Sequence, residues 1–489
     1  MEKRGVRVIG SITIENKSIR KNYIFNVIHQ MVNILSPVIT TPYVARVLAA
    51  DGVGEYSYAN SIAGIFALFG SLGISLYGQR EIAANRDDMQ NRSEAFWNTK
   101  VLEIMSSALC LILYVLFSLH QLNRLLFLVL SLNIVFHIFD ITWLLHGMED
   151  FKVVMMRNII IKTAGIMLVF VCVKAKSDVA IYALIISGMG VISNLLVYPY
   201  AAKIICKPSV ARIRPLHNIR VVLILFVPCV AMEVFSVDKA MIGAITNDRF
   251  ESGYYEQASR LTKMAAMIVT SMGTVMIPKM SYYTERGDRK RTMEYLEKSY
   301  RFVWFLALPL SCGLFFLSAH LIPWFLGEGY DPVVRLLRIF SLFIVANGIT
   351  NVTGYQFLVS TKRNKAYTVS IVIGAASNLL LNVFLIRRYG GLGAAFASVS
   401  AEFIMAFCQM WYIRKEAGVG KLILSGWKNW ISVAVMSVML FFVSGMLHPS
   451  IISLLILIGA GGIVYGISLL VLADSFFIDN LKSLLHHGT

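Results

Sequence analysis

The stretch "VVLILFVPCVAMEVFSVDKAMIG", residues Val221–Gly243, decides the class of fold. Its first half carries no charged residue, and the whole stretch is long enough to cross the ~30 Å hydrocarbon core of a bilayer as one helix. It nevertheless contains Glu233, Asp238 and Lys239. Because a charge at the centre of a bilayer costs roughly 2.5 to 3.5 kcal/mol on insertion scales, these residues indicate a functional site inside a membrane helix.

The rest of the chain has the same apolar character. Its 489 residues are 57% hydrophobic and only 15% charged, and the mean hydropathy is +0.67. Soluble proteins are typically about a quarter charged. Runs of about 20 apolar residues therefore predict an all-α, polytopic membrane protein with about fourteen membrane helices. The predicted spans are 22–46, 56–79, 97–119, 122–147, 154–174, 179–202, 219–245, 254–278, 300–320, 333–360, 366–386, 391–413, 428–447 and 450–473.

The net charge of +17 would suggest a nucleic-acid partner in a soluble protein, but its distribution indicates something else. The segments on the N-terminal side of the membrane, with the helix ends next to them, carry 33 of the 45 Lys and Arg residues, and the opposite side carries 7. Positively charged short loops stay in the cytoplasm. We therefore predict that both termini are cytoplasmic, and we expect no binding of nucleic acid.

The two halves of the chain repeat weakly. The segment "GEYSYANSI" (Gly54–Ile62) resembles "GYYEQASRL" (Gly253–Leu261) about 200 residues later. Transporters are commonly built from such repeats, with the substrate site between them. We predict two pseudo-symmetric six-helix lobes, 1–210 and 211–420, followed by an accessory helix pair and a cytoplasmic tail in 421–489.

Motifs for catalysis are absent from the sequence. The segment "GVGK" (Gly418–Lys421) lacks the spacing of a phosphate-binding loop, and no zinc-protease or serine-hydrolase motif is present. The six cysteines include no Cys-x-x-Cys pair. The predicted loops are too short for a catalytic domain. The sequence therefore predicts a chain that is not an enzyme and has no metal site or cofactor, with possible coupling to H⁺ or Na⁺.

The charged residues of the seventh and eighth helices are predicted to lie close together. With a loop at about 246–252, Lys239 and Arg260 both lie about 10–12 Å below the outer surface. Lys263 shares a helix face with Arg260 at spacing i, i+3. We call Lys239, Arg260 and Lys263 the cation cluster, and we predict that it binds an anionic group of the substrate, such as a phosphate.

An alternative interpretation is structural, with ion pairs Asp238–Arg260 and Glu233–Lys263 joining the two helices. Two observations favour a site. These charges and Lys239 sum to +1, which leaves Lys239 unmatched, and the positions 199 residues earlier are uncharged. Asp238 and Glu233 are accordingly candidates both for ion pairs and for coupling to an ion.

Further candidates lie in other helices. Arg46, at the outer end of the first helix, is predicted to join the substrate-binding cations. Asp140 and Glu402 are single carboxylates within the fourth and twelfth helices. Each is a candidate for ion coupling or for a hydrogen-bonded packing residue. Glu103 lies near a helix end and is expected to extend to the membrane interface.

Four motifs in order give the chain a resemblance to a known family. They are "PVITTPYVARVLAADGVGEYSYA" (Pro37–Ala59), "FDITWLLHGMEDFK" (Phe139–Lys152), "VDKAMIGAI" with "SGYYEQASRL" (Val237–Ile245 and Ser252–Leu261), and "FLGEGYDPVVRLLRIFS" (Phe325–Ser341). In these motifs the chain resembles the bacterial polysaccharide and oligosaccharide flippases. That family shares a superfamily with multidrug-and-toxin extruders and peptidoglycan-precursor flippases. One departure is His146, where a glutamine is usual.

The resemblance implies a fourteen-helix, two-lobed fold in the bacterial cytoplasmic membrane. It further implies that the chain moves undecaprenyl-diphosphate-linked oligosaccharide units from the inner to the outer leaflet by alternating access. The expected partners are this lipid-linked substrate, membrane lipids, and the polymerase and glycosyltransferases of O antigen, capsule or a similar glycan. Family analogy places the first, second, seventh and eighth helices at the cavity, which makes His29 a secondary ion-coupling candidate, with a packed histidine as the favoured alternative.

Two other functions remain as alternatives. A multidrug or metabolite/cation antiporter could share this fold, but a pocket for organic cations should be dominated by acidic residues. A membrane glycan polymerase or ligase should have a large outer loop with catalytic residues, and none is predicted here.

Overall fold

The computed structural model describes the backbone of residues 5–207 and 213–486. Side chains are described from residue 36 onward within these ranges, with a few exceptions: 151, 227, 228, 231, 232, 234–236, 274, 481 and 483–486. Every regular element in this part of the chain is helical. The predicted all-α, multi-pass membrane fold is therefore confirmed.

The chain divides into two compact units, Met1–Val230 and Ala231–Thr489. The helices of the first unit are α1 (Gly5–Ser71), α2 (Ile74–Ala84), α3 (Met89–Ser118), α4 (Arg124–Leu130), α5 (Leu132–Phe139), α6 (Thr142–Gly147), α7 (Phe151–Cys172), α8 (Val179–Leu195), α9 (Tyr198–Ala201) and α10 (Ile219–Met232), the last of which ends just past the boundary. A 3₁₀ turn, Lys176–Asp178, precedes α8.

The second unit continues with α11 (Val234–Thr246), α12 (Arg249–Thr270), α13 (Gly273–Glu285), α14 (Arg289–Phe325), α15 (Asp331–Thr350), a π-helix (Asn351–Val359), α16 (Asn364–Ala417), α17 (Val419–Leu424), α18 (Trp427–Met446), α19 (Ile451–Val471) and α20 (Ser475–His486). The predicted lobe boundaries at 210 and 420 stay predictions.

Ten helical segments of the described chain are long and apolar enough to cross a membrane, or eleven if the bent pair formed by α12 and α13 is one span. The predicted number of fourteen is not confirmed. Part of the difference lies in α1 and α16, which are single elements interrupted by non-helical residues, Ala49 and Gly390. A straight helix of the length of α16 would measure about 80 Å, against about 30 Å of hydrocarbon.

The break in α16 requires glycine. Gly390 has φ +57°, which L side chains rarely adopt, and a Cβ atom there would overlap the carboxylate of Glu251. The same carboxylate accepts a hydrogen bond from the backbone N–H of Gly391 at 2.6 Å. It thus satisfies one of the unpaired amides that a helix exposes at its N-terminus, and it fastens α12 to the break in α16.

The first unit packs around fully buried side chains of α3 and α4, including Tyr114, Phe127 and Leu130. The fourth predicted span is not a continuous helix. Within it, α5 ends at Phe139 and α6 begins at Thr142. Asp140, between them, has an extended backbone conformation (ψ 124°). Buried charged residues meet at this break.

In the second unit, Tyr300, Trp304 and Phe357 form part of the apolar core. The Trp304 indole donates a hydrogen bond to the backbone carbonyl of Leu422 at 3.0 Å. Helices α18 and α19 pack against α14 through Leu317 and its neighbours. The π-helix directly extends α15, and such segments are frequent at functional sites.

Candidate functional site

Helices α11 and α12 form a tight hairpin that positions the charged residues. The turn contains Asn247, with φ +56°, and Asp248, whose side chain accepts a hydrogen bond from the backbone N–H of Phe250 at 2.9 Å and caps α12. Lower in the hairpin, the Ser252 hydroxyl donates to the carbonyl of Lys239 at 3.0 Å. The hairpin is therefore fixed by hydrogen bonds at the level of its charged residues.

The hairpin brings Lys239 and Arg260 together on a third residue, Glu256. One oxygen of Glu256 lies 2.7 Å from Lys239 Nζ, and the other lies 2.8 Å from Arg260 Nη2 at spacing i, i+4. The three side chains are 12%, 29% and 17% exposed for Lys239, Arg260 and Glu256. Charge-assisted pairs in such partly buried surroundings are stronger than pairs in water.

Asp238 faces a different set of partners and is fully buried. Its Oδ2 accepts hydrogen bonds from the hydroxyls of Tyr255 and Ser398, each at 2.6 Å, and a long one from Asn378 at 3.4 Å. Its Oδ1 accepts a hydrogen bond from Asn382 at 2.6 Å. We call these five residues the Asp238 network.

The Asp238 network offers several oxygen atoms around one carboxylate. Asn378 Oδ1 accepts a hydrogen bond from Asn382 at 2.8 Å, and Asn382 Oδ1 is buried without a partner in the described residues. Carboxylate, amide and hydroxyl oxygens are the ligands of hard cations, and a carboxylate can also take up a proton. The arrangement suits either H⁺ or Na⁺.

These contacts correct the predicted pairing. The Asp238–Arg260 ion pair is wrong, because Asp238 is bound within its own network and Arg260 lies on Glu256. Lys239 is not unmatched, because it also pairs with Glu256. With Asp238 set apart and Glu256 included, the three cations of the cluster and the two carboxylates beside it, Glu256 and Glu233, still sum to +1.

The remaining substrate-binding and ion-coupling candidates stay predictions. Lys263 is exposed and lies within electrostatic range of Glu256, Lys239 and Glu233. Arg46 is an exposed residue of α1 in the first unit. The side chain of His29 lies outside the described residues.

Glu402 lines a cavity of about 460 Å³ in the second unit. Its Oε1 accepts hydrogen bonds from Thr350 at 2.6 Å and from Asn347 at 3.1 Å. Asn378 and Ser398 of the Asp238 network line the same cavity. The cavity therefore connects the Glu402 carboxylate to two residues that donate to Asp238.

Asp140 lies at the break between α5 and α6. Its Oδ1 accepts a hydrogen bond from the backbone N–H of Thr142 at 2.8 Å. The expectation for Glu103 is wrong, because this residue is fully buried and pairs with Lys100 at 2.8 Å instead of extending to an interface.

Sequence reasoning missed Glu256 and the four residues around Asp238. Glu256 lies four residues before Arg260, so their pairing at i, i+4 could have been found from the spacing. Asn378 and Asn382 also lie at i, i+4 inside an apolar run. Polar side chains on one face of a membrane helix are a usable signal. Their partner on another helix, however, depends on tertiary packing.

Comparisons with known proteins identify the family and the fold of the chain. Residues 19–284 match the family model described as polysaccharide biosynthesis protein. A protein of Escherichia coli (strain K12) named putative O-antigen transporter is 22% identical over 412 residues, which cover 82% of this chain and 97% of that protein.

Two solved structures share the fold. One, titled lipid II flippase MurJ, inward closed conformation, superposes with a TM-score of 0.71 at 18% identity and covers 94% of this chain and 100% of the other. A second, an inward-facing multidrug resistance MATE family transporter of the MOP superfamily, gives a TM-score of 0.57 at 13% identity over 80% of this chain and 95% of that chain.

Proposed function

Because the chain belongs to the polysaccharide biosynthesis protein family, as its sequence motifs predicted, we propose that it moves undecaprenyl-diphosphate-linked oligosaccharide units from the inner to the outer leaflet of the bacterial cytoplasmic membrane by alternating access. Its relatives are named transporters and flippases, which confirms the prediction that the chain is not an enzyme. The likeness to a lipid II flippase structure supports the fold in which this movement takes place.

The observation that carries the proposal is the cation cluster beside Glu256. Lys239 and Arg260 hold the same carboxylate and remain partly exposed, and Lys263 lies nearby on the same helix as Arg260. A lipid diphosphate carries several acceptor oxygens, which lysine and arginine bind through charge-assisted hydrogen bonds. In the proposed mechanism the diphosphate competes with Glu256 for these two side chains, so the carboxylate keeps them in position until the substrate arrives.

We assign ion coupling to Asp238. A carboxylate surrounded by amide and hydroxyl groups can exchange a proton or a sodium ion while its neighbours reorient their hydrogen bonds. The adjacent cavity with Glu402 supports access of such an ion to the network. Asp238 and Lys239 are consecutive residues of α11. Binding of an ion at Asp238 would therefore shift the helix that carries Lys239, and substrate bound at Lys239 would in turn affect Asp238.

The antiporter alternative rests on the shared fold alone. The cation cluster and the two carboxylates beside it sum to +1, and an organic cation would be repelled by this net positive charge. For the same reason the proposed substrate is anionic. We propose that both termini lie in the cytoplasm. We also propose that the chain works with a polymerase and glycosyltransferases in the synthesis of O antigen, capsule or a similar glycan.

A deletion strain tests the function directly. Loss of the chain should abolish the surface glycan and cause the lipid-linked oligosaccharide to accumulate in the inner leaflet, where an outer-leaflet glycosidase or lectin cannot reach it. Re-expression of the chain should restore both. If the lipid-linked unit reaches the outer leaflet at a normal rate in the deletion strain, and efflux of an organic cation is lost instead, the antiporter alternative is correct.

A further inference from the structure

The break between α5 and α6 leaves backbone carbonyl groups of α5 without helical partners. Lys100, on α3, occupies this position. Its ammonium group donates to the carbonyl of Asp140 at 2.6 Å and to the carbonyl of His137 at 3.3 Å. Half-helix C-termini inside transporters commonly bind a cation, and here the cation is a side chain of the protein.

Three further groups converge beside this ammonium. One oxygen of Glu103, one oxygen of Asp140 and one ring nitrogen of His137 all lie within 4.8 Å of each other. We call these three residues the Glu103 cluster. Glu103 is completely buried and Asp140 is 6% exposed. The cluster belongs wholly to the first unit and shares no residue with the Asp238 network.

Two polar atoms of the cluster are unsatisfied. Glu103 Oε2 accepts from Lys100 at 2.8 Å and weakly from the Trp143 indole at 3.4 Å, whereas Glu103 Oε1 is buried with no partner in the described chain. His137 Nδ1 is likewise buried without a partner among described residues. A buried acceptor left unsatisfied costs about 1–3 kcal/mol, and a proton shared within the cluster would lower this cost.

Among the described side chains, Lys100 is the one cation that forms an ion pair with the cluster. Lys100 compensates Glu103, and the carboxylate of Asp140 remains. His146, Arg157 and Tyr198 also lie within electrostatic range of the cluster. Within the described side chains, Arg157 forms no ion pair with Asp140. Arg157 instead donates to the hydroxyl of Thr142 at 3.3 Å.

We propose that the Glu103 cluster is a proton-binding site in which Glu103, Asp140 and His137 together hold one proton. Two buried carboxylates this close do not both stay ionised when only one cation is paired with them. A proton adds one charge, and it converts an unsatisfied acceptor into a donor for its neighbour. A divalent metal ion fits less well, because the Lys100 ammonium already lies against Glu103.

The site has a route for proton exchange. Asp140 lines a cavity of about 720 Å³ in the first unit, together with His146, Arg157 and Lys162. Glu103 and His137 are not among the residues that line this cavity. The proton therefore enters and leaves through Asp140, and the helix break lets this carboxylate reach both the cavity and the buried pair. The proposal does not depend on the proposed function, since it concerns proton binding and not the substrate.

Infrared spectroscopy of the purified full chain in detergent tests the site through the stretching band of protonated carboxyl groups and its shift in D₂O. At neutral pH we expect the wild type to show a component of this band that disappears in Glu103→Gln and also in Asp140→Asn, since either variant removes the charge that the proton balances. Asp87→Asn, which changes an exposed carboxylate of the same unit, should leave the band unchanged.

His137→Asn keeps both carboxylates, so the band component should remain at a shifted frequency. Should Glu103→Gln fail to fold, Asp140→Asn and His137→Asn carry the same test. Persistence of every component of the band in Glu103→Gln and Asp140→Asn overturns the proposal. So does saturable binding of added Zn²⁺ by the wild type that is lost in Glu103→Gln, because the cluster would then be a metal site.

Discussion

Asp238 and Lys239 are consecutive residues of α11, and consecutive residues of α12, Tyr255 and Glu256, bind them. Tyr255 donates to Asp238 at 2.6 Å, and Glu256 pairs with Lys239 at 2.7 Å. Neighbouring side chains on a helix project about 100° apart. One helical step therefore separates a buried carboxylate network from a partly exposed cationic surface.

Loss of one cation from the cation cluster should impair transport without loss of the protein. We expect Lys239→Ala or Arg260→Ala to reduce surface glycan at least tenfold, which corresponds to about 1.4 kcal/mol of lost substrate stabilisation. Glycan on the surface of a deletion strain is the measurement, with protein level as the reference. Lys365→Ala, an exposed lysine of the same unit, should have no effect. Full glycan in both cluster variants would contradict a cationic substrate site.

The structural alternative makes a different prediction for Glu256. If the cations bind substrate, Glu256→Gln frees them and should retain most transport, whereas Lys239→Gln should lose it. If the ion pair only joins α11 and α12, both variants should be equally defective, and the double variant should be no worse than either one. A double-mutant comparison of glycan output and thermal stability separates the two cases.

Removal of the Asp238 charge without a change in the size of its side chain should impair both stability and transport. Asp238→Asn replaces one acceptor oxygen by an amide that cannot accept the existing hydrogen bonds, so we expect a folded protein that is less stable by about 1–3 kcal/mol. Transport should fall at least tenfold. Thermal unfolding in detergent and surface glycan are the two measurements, and Asp87→Asn is the control. Normal glycan with Asp238→Asn would remove this residue from the coupling mechanism.

Gly390 should tolerate no side chain. Gly390→Ala combines a left-handed backbone, which costs roughly 1–2 kcal/mol for an L-residue, with overlap of the Glu251 carboxylate. We expect a lower melting temperature in detergent. Gly459→Ala is the matched control, because a Cβ atom there meets nothing within 4 Å inside α19. The control should leave stability equal or improve it by up to about 1 kcal/mol.

Much of the fold follows from the sequence because apolar runs of membrane length leave few alternatives to a helix. The positions at which helices break are harder to predict from the sequence. Nothing in the local sequence marks Asp140 as the end of one helix and the start of another, since the surrounding residues are apolar and helix-compatible. The break is stabilised by Lys100, which lies 40 residues earlier in the chain.

The sequence identifies the charged residues of α11 and α12 that form the site, but it does not show which of them pair with each other. Helical geometry placed Lys239 and Arg260 at one depth, and the structure brings them to one carboxylate. The same geometry could not assign Asp238, because its partners Asn382 and Ser398 come from α16, and their approach depends on the fold of that helix at Gly390. The sequence therefore predicts an Asp238–Arg260 pair within one hairpin, whereas Asp238 belongs to the Asp238 network.

The π-helix has a consequence for insertions and deletions during evolution. A π-helix accommodates about one extra residue relative to an α-helix, and each residue turns an α-helix by about 100°. Deletion of Asn351 or Val352, the two residues between Thr350 and Thr353, would rotate these threonines against each other by about 100°. Thr350 could then no longer meet Glu402 while Thr353 still meets the hydroxyl of Tyr300. The length of this segment therefore matters, because removal of a residue between the two threonines would separate their two contacts.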